Sequence, residues 1–393
     1  MDVGFILVKI EKKITHELRA SSVDKRVMLG EIKKRALILV LAGWGLLPQG
    51  AHGRDDVIPG SRYVSARGDA LGDALIAVGD DLASGLFYNP AQLSRIRLFE
   101  YELLNWSGTV NLNLLKTFNL GTPEAGFPGS LLPSISTLTD QYVGGGGSAF
   151  MGVGMRGLAL GVLVDTQFAS RLNSDQTVSY RSRYQLIPAM GWGFQLFRGI
   201  LRVGYSLQVV GVAQNSGTTQ GTTSFSYLDG ALQGTTLSST FGLSMVLPVS
   251  GSPGFHAVAR NAFPTEYSPN VLYRFTNSPS GVPATDVTTF DAAFSLRPHF
   301  GRNAALNLLA QLRDATNTSV TSLDQRMAYG AELSFRNWLF FRGGLRGRHL
   351  SAGLGFKRAK SELSFAYSTV DVGTSQSSVA DSRLMVQFQI RGF

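Results

Sequence analysis

The sequence predicts an all-β protein, a transmembrane antiparallel β-barrel of about fourteen strands. Three observations carry the prediction. Apolar residues recur at every second position over most of the 393-residue chain, Gly is abundant at 45 residues, and only 16% of residues are charged. Alternation is the strand signature, and an apolar face opposite a polar one is what lipid outside and a polar lumen inside require.

Composition narrows the class further. With 44% hydrophobic and 10% aromatic residues the chain has ample apolar surface to bury or to offer to lipid, which excludes disorder. The absence of Cys excludes a disulfide framework, a thiolate metal site and a Cys nucleophile. The formal charge of +9 is partly an N-terminal effect, since residues 1–53 hold nine basic and five acidic side chains. The remaining basic residues do not cluster into a stripe, so no nucleic-acid partner is expected. All but Lys116, Lys357 and Lys360 of these are Arg, the cation that tolerates partial burial by forming fixed, planar hydrogen bonds.

The N-terminus has the order of a secretory signal peptide. A basic stretch, Lys33-Lys34-Arg35, precedes twelve apolar residues from Ala36 to Leu47 and a small-residue end, Ala51-x-Gly53. Twelve residues are too few for a span of roughly 17 to 25. Residues 1–53 are therefore expected to be an extension plus export signal, with Met28 as the expected true start. Beyond Leu47 no run of about eighteen apolar residues occurs, so a membrane would be crossed by strands.

The body, residues 98–393, supplies those strands. Leu201, Val203, Tyr205, Leu207 and Val209 alternate with Arg202, Gly204, Ser206 and Gln208; Leu384, Val386, Phe388 and Ile390 alternate with Arg383, Gln387, Gln389 and Arg391. Such segments fall near 98–106, 147–156, 158–170, 183–197, 200–213, 236–247, 254–261, 288–299, 303–313, 326–335, 339–347, 350–357, 361–370 and 382–393. Short connections alternate with long polar ones at 107–146, 214–235 and 262–287, the asymmetry of outer-membrane barrels. Gly144–Gly147 reads as a flexible lead into the second strand, because no helix pattern or Lys-Ser/Thr follows to make a phosphate cradle. Phe393 at the end of an amphipathic strand looks like an assembly signal for the barrel-assembly machinery. Its parity is that of Arg391 and Gln389, which calls for a bulge near Gly392. A sandwich would not need so many strands, and a propeller would show a blade repeat, which is absent.

Residues 54–97 read as a plug. Small residues at Gly68, Ala70, Gly72, Ala74 and Ala77 permit close packing in a lumen, and Leu71, Leu75 and Val78 form one helical face. Asp80 and Asp81 are expected to meet lumenal Arg. Arg202, Arg297, Arg313, Arg326, Arg342 and Arg346 fall on strands, with Glu332, Glu362, Asp165 and Asp291 as available carboxylates, giving a lumenal charge network. Pro90 holds Asn89 extended, and Asn89 can bond back to nearby backbone.

This segment also carries a resemblance. Gly72-Asp73-Ala74, Ala77, Asp80-Asp81 and Tyr88-Asn89-Pro90-Ala91 resemble the N-terminal hatch of the FadL/TodX-type outer-membrane transporters. Arg260-Asn261, Asp314, Gly330-Ala331-Glu332, Arg342-Gly343-Gly344, Ala352 to Gly355 and Phe365 to Tyr367 follow the order of the PorV-like branch. Gln92 replaces the family's usual Gly, and Arg383 stands near a common His.

The resemblance implies a barrel in the outer membrane of a Gram-negative bacterium, in contact with its lipid, conducting hydrophobic small molecules of the fatty acid or hydrocarbon class past the hatch and out through a lateral gap. Asp80, Asp81, Tyr88, Asn89, Pro90 and Ala91 would line the ligand path, and Leu131, Leu132, Ile135, Phe263 and Phe275 would help capture the ligand. The alternative is a PorV-like protein that binds or shuttles secreted proteins through its long loops. No enzyme is expected: His256, His299 and His349 are scattered, without a Ser-His-Asp order or metal-ligand spacing. No cofactor or metal is expected either.

Overall fold

The computed structural model describes residues 63–96, 98–117, 139–220, 226–301, 303–316, 323–371 and 380–392. The expected export signal, Phe393, Leu131, Leu132 and Ile135 lie outside them. Fourteen strands are described: β1 Phe99–Asn111, β2 Tyr142–Met155, β3 Leu158–Leu172, β4 Thr177–Leu196, β5 Leu201–Gln220, β6 Leu232–Val246, β7 Gly254–Arg260, β8 Thr289–Leu296, β9 Ala304–Leu312, β10 Met327–Phe335, β11 Leu339–Arg346, β12 His349–Arg358, β13 Ser361–Asp371 and β14 Ala380–Gly392. Each pairs antiparallel with the next, and β14 returns to β1 with Tyr101 opposite Gly392 and Asn111 opposite Arg383. A two-residue piece, His299–Phe300, continues β8 in register against β9 beyond a break at Arg297-Pro298. Closure gives every strand a neighbour on both sides, which is how strands satisfy their backbone polar groups in lipid.

The alternation sorts side chains as the sequence requires. On β3, Leu158, Leu160, Val162 and Val164 are exposed while Ala159, Leu163 and Asp165 are buried. On β14, Leu384 and Val386 are exposed while Met385, Gln387, Gln389 and Arg391 are buried. An outward aromatic row crosses three strands: Trp192, Tyr205 and Phe241 lie with ring centroids 4.9 and 4.6 Å apart, and Phe263 joins them at 5.9 Å. Among the described residues no helix is long and apolar enough to cross a membrane; the apolar surface lies on the outside of the sheet.

The two ends of the barrel differ. At one end the turns are short, as at Arg156-Gly157, whose positive φ values of 45° and 83° suit a two-residue hairpin. At the other end lie most of the long connections. The wall is also uneven: β1 to β6 run 13 to 20 residues, but β7 has 7 and β8 has 8. β7 pairs with β6 only from Thr240 to Val246. Above that level the edge of β6 is covered by the β7–β8 connection, where Thr235 and Ser268 exchange backbone hydrogen bonds of 2.9 and 2.8 Å.

Several expectations shift. β4 starts at Thr177 and β5 runs to Gln220, further toward the long-loop end than the alternation indicated; the β5 extension is polar on both faces, whereas that of β4 keeps Val178 buried and Tyr180 packed on Tyr227. Gly144–Gly147 is not a flexible lead but part of β2, paired with β3 throughout and with β1 from Gly145 on. The C-terminal strand has no bulge of its own. The register shift sits opposite it in β1, between Glu102 and Leu104, and it turns Leu103 outward while Glu102 and Asn105 both face in.

Candidate functional site

Residues 63–96 pack against the inward faces of the strands, and their local structure follows from three side-chain caps. The Ser65 hydroxyl accepts from the Gly68 amide at 3.0 Å and starts α1, Ala66–Ala70. Gly72 and Asp73 then adopt positive φ values of 65° and 68°, so the helical face foreseen for Leu71, Leu75 and Val78 stops at Leu71. Asp81 accepts from the Ser84 amide at 2.6 Å and caps α2, Leu82–Phe87. The Asn89 side-chain oxygen accepts from the Ala91 amide at 3.1 Å and starts a 3-10 turn, Pro90–Arg95.

This segment forms the core of the molecule. Tyr63, Leu71, Leu75, Ile76, Leu82, Leu86 and Leu93 are buried and cluster with Phe150, Leu163, Ile187, Val210, Val258 and Leu309 of the wall. Each fully buried aliphatic side chain contributes roughly 1.5–3 kcal/mol.

Two glycine seams let the backbones meet. Gly193, Gly204 and Gly242 are cross-strand neighbours on β4, β5 and β6. A Cβ added at Gly204 would lie 2.1 Å from the Pro90 carbonyl carbon, at Gly242 2.2 Å from the Asn89 side-chain oxygen, and at Gly193 2.5 Å from the Ser94 nitrogen. Across the barrel, Gly330 pairs with Gly344, which pairs with Ser351. There a Cβ at Gly344 would lie 2.2 Å from the Leu71 carbonyl carbon, and the Ser351 hydroxyl donates to the Ala70 carbonyl at 3.1 Å.

A loop of ion pairs ties the segment to the wall toward the short-turn end. Arg67 donates two bonds to Glu332, at 2.8 and 2.7 Å, and a third to Asp80 at 2.6 Å. Arg342 donates to Glu332 at 2.9 Å and to Glu362 at 3.0 Å. Arg391 meets Glu362 at 3.4 Å and returns to the Asp80 carbonyl at 3.3 Å, closing the loop. Glu332 and Arg342 are each only 1% exposed, so both charges depend on these partners. A second attachment is Arg260, which bonds Asp291 at 3.0 Å and the Phe87 carbonyl at 3.0 Å and lies over the Tyr88 ring.

The expected site residues separate into groups. Asp80 joins the ion-pair loop, but Asp81 caps α2 and makes no ion pair with Arg among the described residues. Asn89 donates to the Ile76 carbonyl at 2.8 Å and to the Ser244 hydroxyl at 3.1 Å; Ser244 is 2.9 Å from His256, whose other nitrogen lies 3.1 Å from Ser295. The Tyr88 hydroxyl donates to the Tyr63 carbonyl at 2.8 Å. Pro90 and Ala91 are buried against the first glycine seam. Of the expected charge network, Glu332 and Arg342 form its centre and Arg313 pairs with Asp73 at 3.1 Å. Arg326 instead donates to the Asp314 carbonyl. Arg202 and Arg297 make no ion pair among the described residues, because the carboxylates are committed to other walls. Phe263 is exposed beside Phe241, and Phe275 packs on Tyr184. Arg67 and the seam of Gly193, Gly204 and Gly242 had no role in the sequence reading, while Arg260, Gly330 and Gly344 entered it only as carriers of the resemblance, without a structural role.

Toward the long-loop end a cavity is lined by Asp69, Asp73, Arg313, Arg346, Asp381 and Arg383. Burial, together with the neighbouring Asp73, pushes the Asp69 carboxyl up to about 6, against the pull of Arg383 and Arg346. Asp80 is held well below the usual carboxylate range: burial opposes this, but Arg67, Arg391 and Lys357 outweigh it. Among the described residues no three His, Asp or Glu gather as metal ligands.

No protein-family model matches the chain, and no curated protein sequence does. Among solved structures, the P. putida toluene transporter TodX matches with a TM-score of 0.51 at 11% identity, over 84% of this chain and 98% of that one. The CymD monoaromatic hydrocarbon channel matches with a TM-score of 0.50 at 10% identity, over 84% and 97%. The chain shares their fold. The correspondence spans nearly the whole of each channel, so the TodX-type architecture extends over most of this chain.

Two outcomes follow. Replacing Glu332 by Gln leaves Arg67 and Arg342 without their shared carboxylate and should destabilise the protein by about 3–5 kcal/mol in denaturant titration of the reconstituted barrel; a loss below about 1 kcal/mol would contradict the ion-pair loop. For Asp69, a carboxyl raised in the folded state favours that state while protonated, and the benefit is lost as pH rises through about 6. Protection of the α1 amides in hydrogen exchange, corrected for intrinsic rate, should therefore increase from pH 7 to pH 5. The Asp69→Asn variant should show no such change, and an identical pH response in both proteins would refute the assignment.

Proposed function

We propose that the protein is a passive conduit for small hydrophobic molecules across an outer membrane, with residues 63–96 as its gate. The observation that carries this reading is the lumenal segment: a closed barrel with an apolar exterior holds, inside it, a segment seated on opposite walls and buried around its own apolar core. An open aqueous pore would leave that interior wet and polar. The fold shared with a toluene transporter and a monoaromatic hydrocarbon channel supports the same substrate class. In this reading the short-turn end faces the periplasm and the long loops face outward. The chemistry required of the protein is gating alone, so no covalent step and no cofactor are involved.

The test is uptake. Cells carrying the protein should accumulate a radiolabelled monoaromatic hydrocarbon or long-chain fatty acid several-fold faster than deletion cells, while proteoliposome swelling in small sugars stays at background. Equal accumulation with and without the gene would overturn the conduit.

A further inference from the structure

The outer rim of the short-turn end carries cations that its turns do not call for. Arg156 sits in the β2–β3 turn, Arg198 in the β4–β5 turn and Arg336 in the β10–β11 turn, while Arg358 and Lys360 stand at the β12–β13 turn. All five side chains are exposed, and none makes an ion pair among the described residues. Arg156, Arg198 and Arg336 have φ values of 45°, 59° and 47°, left-handed conformations that Gly, Asn or Asp adopt with less strain. Turn formation alone would therefore select other residues at these three positions.

The outward face next to these cations is apolar and largely aromatic. Met155 precedes Arg156, and Phe197, 73% exposed, precedes Arg198. Phe335 and Trp338 flank Arg336, and Phe356 lies two residues before Arg358 on the same exposed row of β12. Rings beside long cationic side chains are the composition of a membrane–water interface, where the rings sit at head-group level and the cations reach past them to phosphate. The carboxylates near this end do not neutralise the rim. Asp80, Asp81, Glu102, Glu332 and Glu362 belong to the lumenal segment or bond within the lumen, and Glu100 is paired with Gly154 on the inward parity.

We propose that the short-turn rim is a docking surface for anionic phospholipid, whose phosphates the turn cations hold while its chains lie along the aromatic row. The surface is continuous with the lipid-facing band of the wall, and its charge is spread over four turns between β2 and β13. That distribution suits a partner that surrounds the barrel; a soluble acidic protein would meet only one sector of it. Guanidinium groups bond phosphate oxygens, and a net negative head group adds attraction that a zwitterionic one, with its own ammonium, cancels. The inference rests on the barrel spanning a membrane and not on its conducting anything.

The experiment is electron paramagnetic resonance of the purified protein in phosphatidylcholine bilayers, with spin-labelled phosphatidylglycerol and spin-labelled phosphatidylcholine as probes in turn. The motionally restricted fraction of each label measures its association with the barrel. Wild type should prefer phosphatidylglycerol about three-fold or more, and the preference should fall toward unity in about 1 M salt, where the screening length is roughly 3 Å. The Arg198→Gln/Arg336→Gln/Arg358→Gln variant should lose most of the preference at low salt; heat-modifiable migration in electrophoresis checks that it is folded. Arg274→Gln, on the exposed β7–β8 connection toward the other end, should keep the wild-type preference. Equal association of the two lipids with wild type would overturn the lipid partner. A preference unchanged in the triple variant, or lost equally in Arg274→Gln, would overturn its placement at the turns. Hydrocarbon uptake is scored separately, so a barrel that selects the lipid but conducts nothing keeps this surface and loses the conduit.

Discussion

The width of a fourteen-stranded barrel is the constraint on which the rest of the structure depends. About eight strands leave an interior that side chains can fill from the wall alone, whereas wider barrels leave a channel. Lipid outside demands that the sheet close and that its apolar residues face outward, so the inward residues are largely Ser, Asn, Gln, Arg and Glu. Residues 63–96 give them partners. Gln387 accepts from the Ala66 amide, Ser206 donates to the Leu86 carbonyl, and Glu102 accepts from the Leu82 amide. Each of these polar groups would otherwise need water at the same place.

Two kinds of contact seat the segment, and their energetic roles differ. Apolar burial supplies affinity, since some seven large side chains of the segment are almost wholly enclosed. The buried ion pairs add little net stability, because desolvation offsets much of their attraction, but they become costly when one member is missing. Their contribution is position: Arg67 reaches Glu332 and Asp80 in only one placement of α1. The glycine seams act in the same sense, because backbone can approach backbone only where no Cβ intervenes. A segment held by burial and positioned by a few ion pairs and close contacts takes one defined placement inside the wall.

Much of this was legible in the sequence. Period-two alternation located most of the strands, and the Asn89-Pro90-Ala91 turn was readable from the restriction that proline places on its neighbour. The polar extension of β5 was not readable, because alternation vanishes where neither face meets lipid. The seams were hidden for a different reason: Gly193, Gly204 and Gly242 become neighbours only once the register of three strands is known. The same holds for the arginines. Composition showed a surplus of Arg over available carboxylates, but only the register separates Arg342, set among Glu332 and Glu362, from Arg202 and Arg297, which face none. Arg67 escaped notice because its neighbours are small residues, which directed the reading toward packing rather than charge.

The central claim is that the lumenal segment must leave its seats for solute to pass. Because the chain has no native Cys, an engineered disulfide tests this directly. Ala70 and Ser351 are joined by a 3.1 Å hydrogen bond across the second seam, and the Ala70→Cys/Ser351→Cys protein should cross-link on oxidation. Hydrophobic flux into proteoliposomes should fall to background when the bond is formed and recover on reduction. Undiminished flux through fully cross-linked protein would contradict the account.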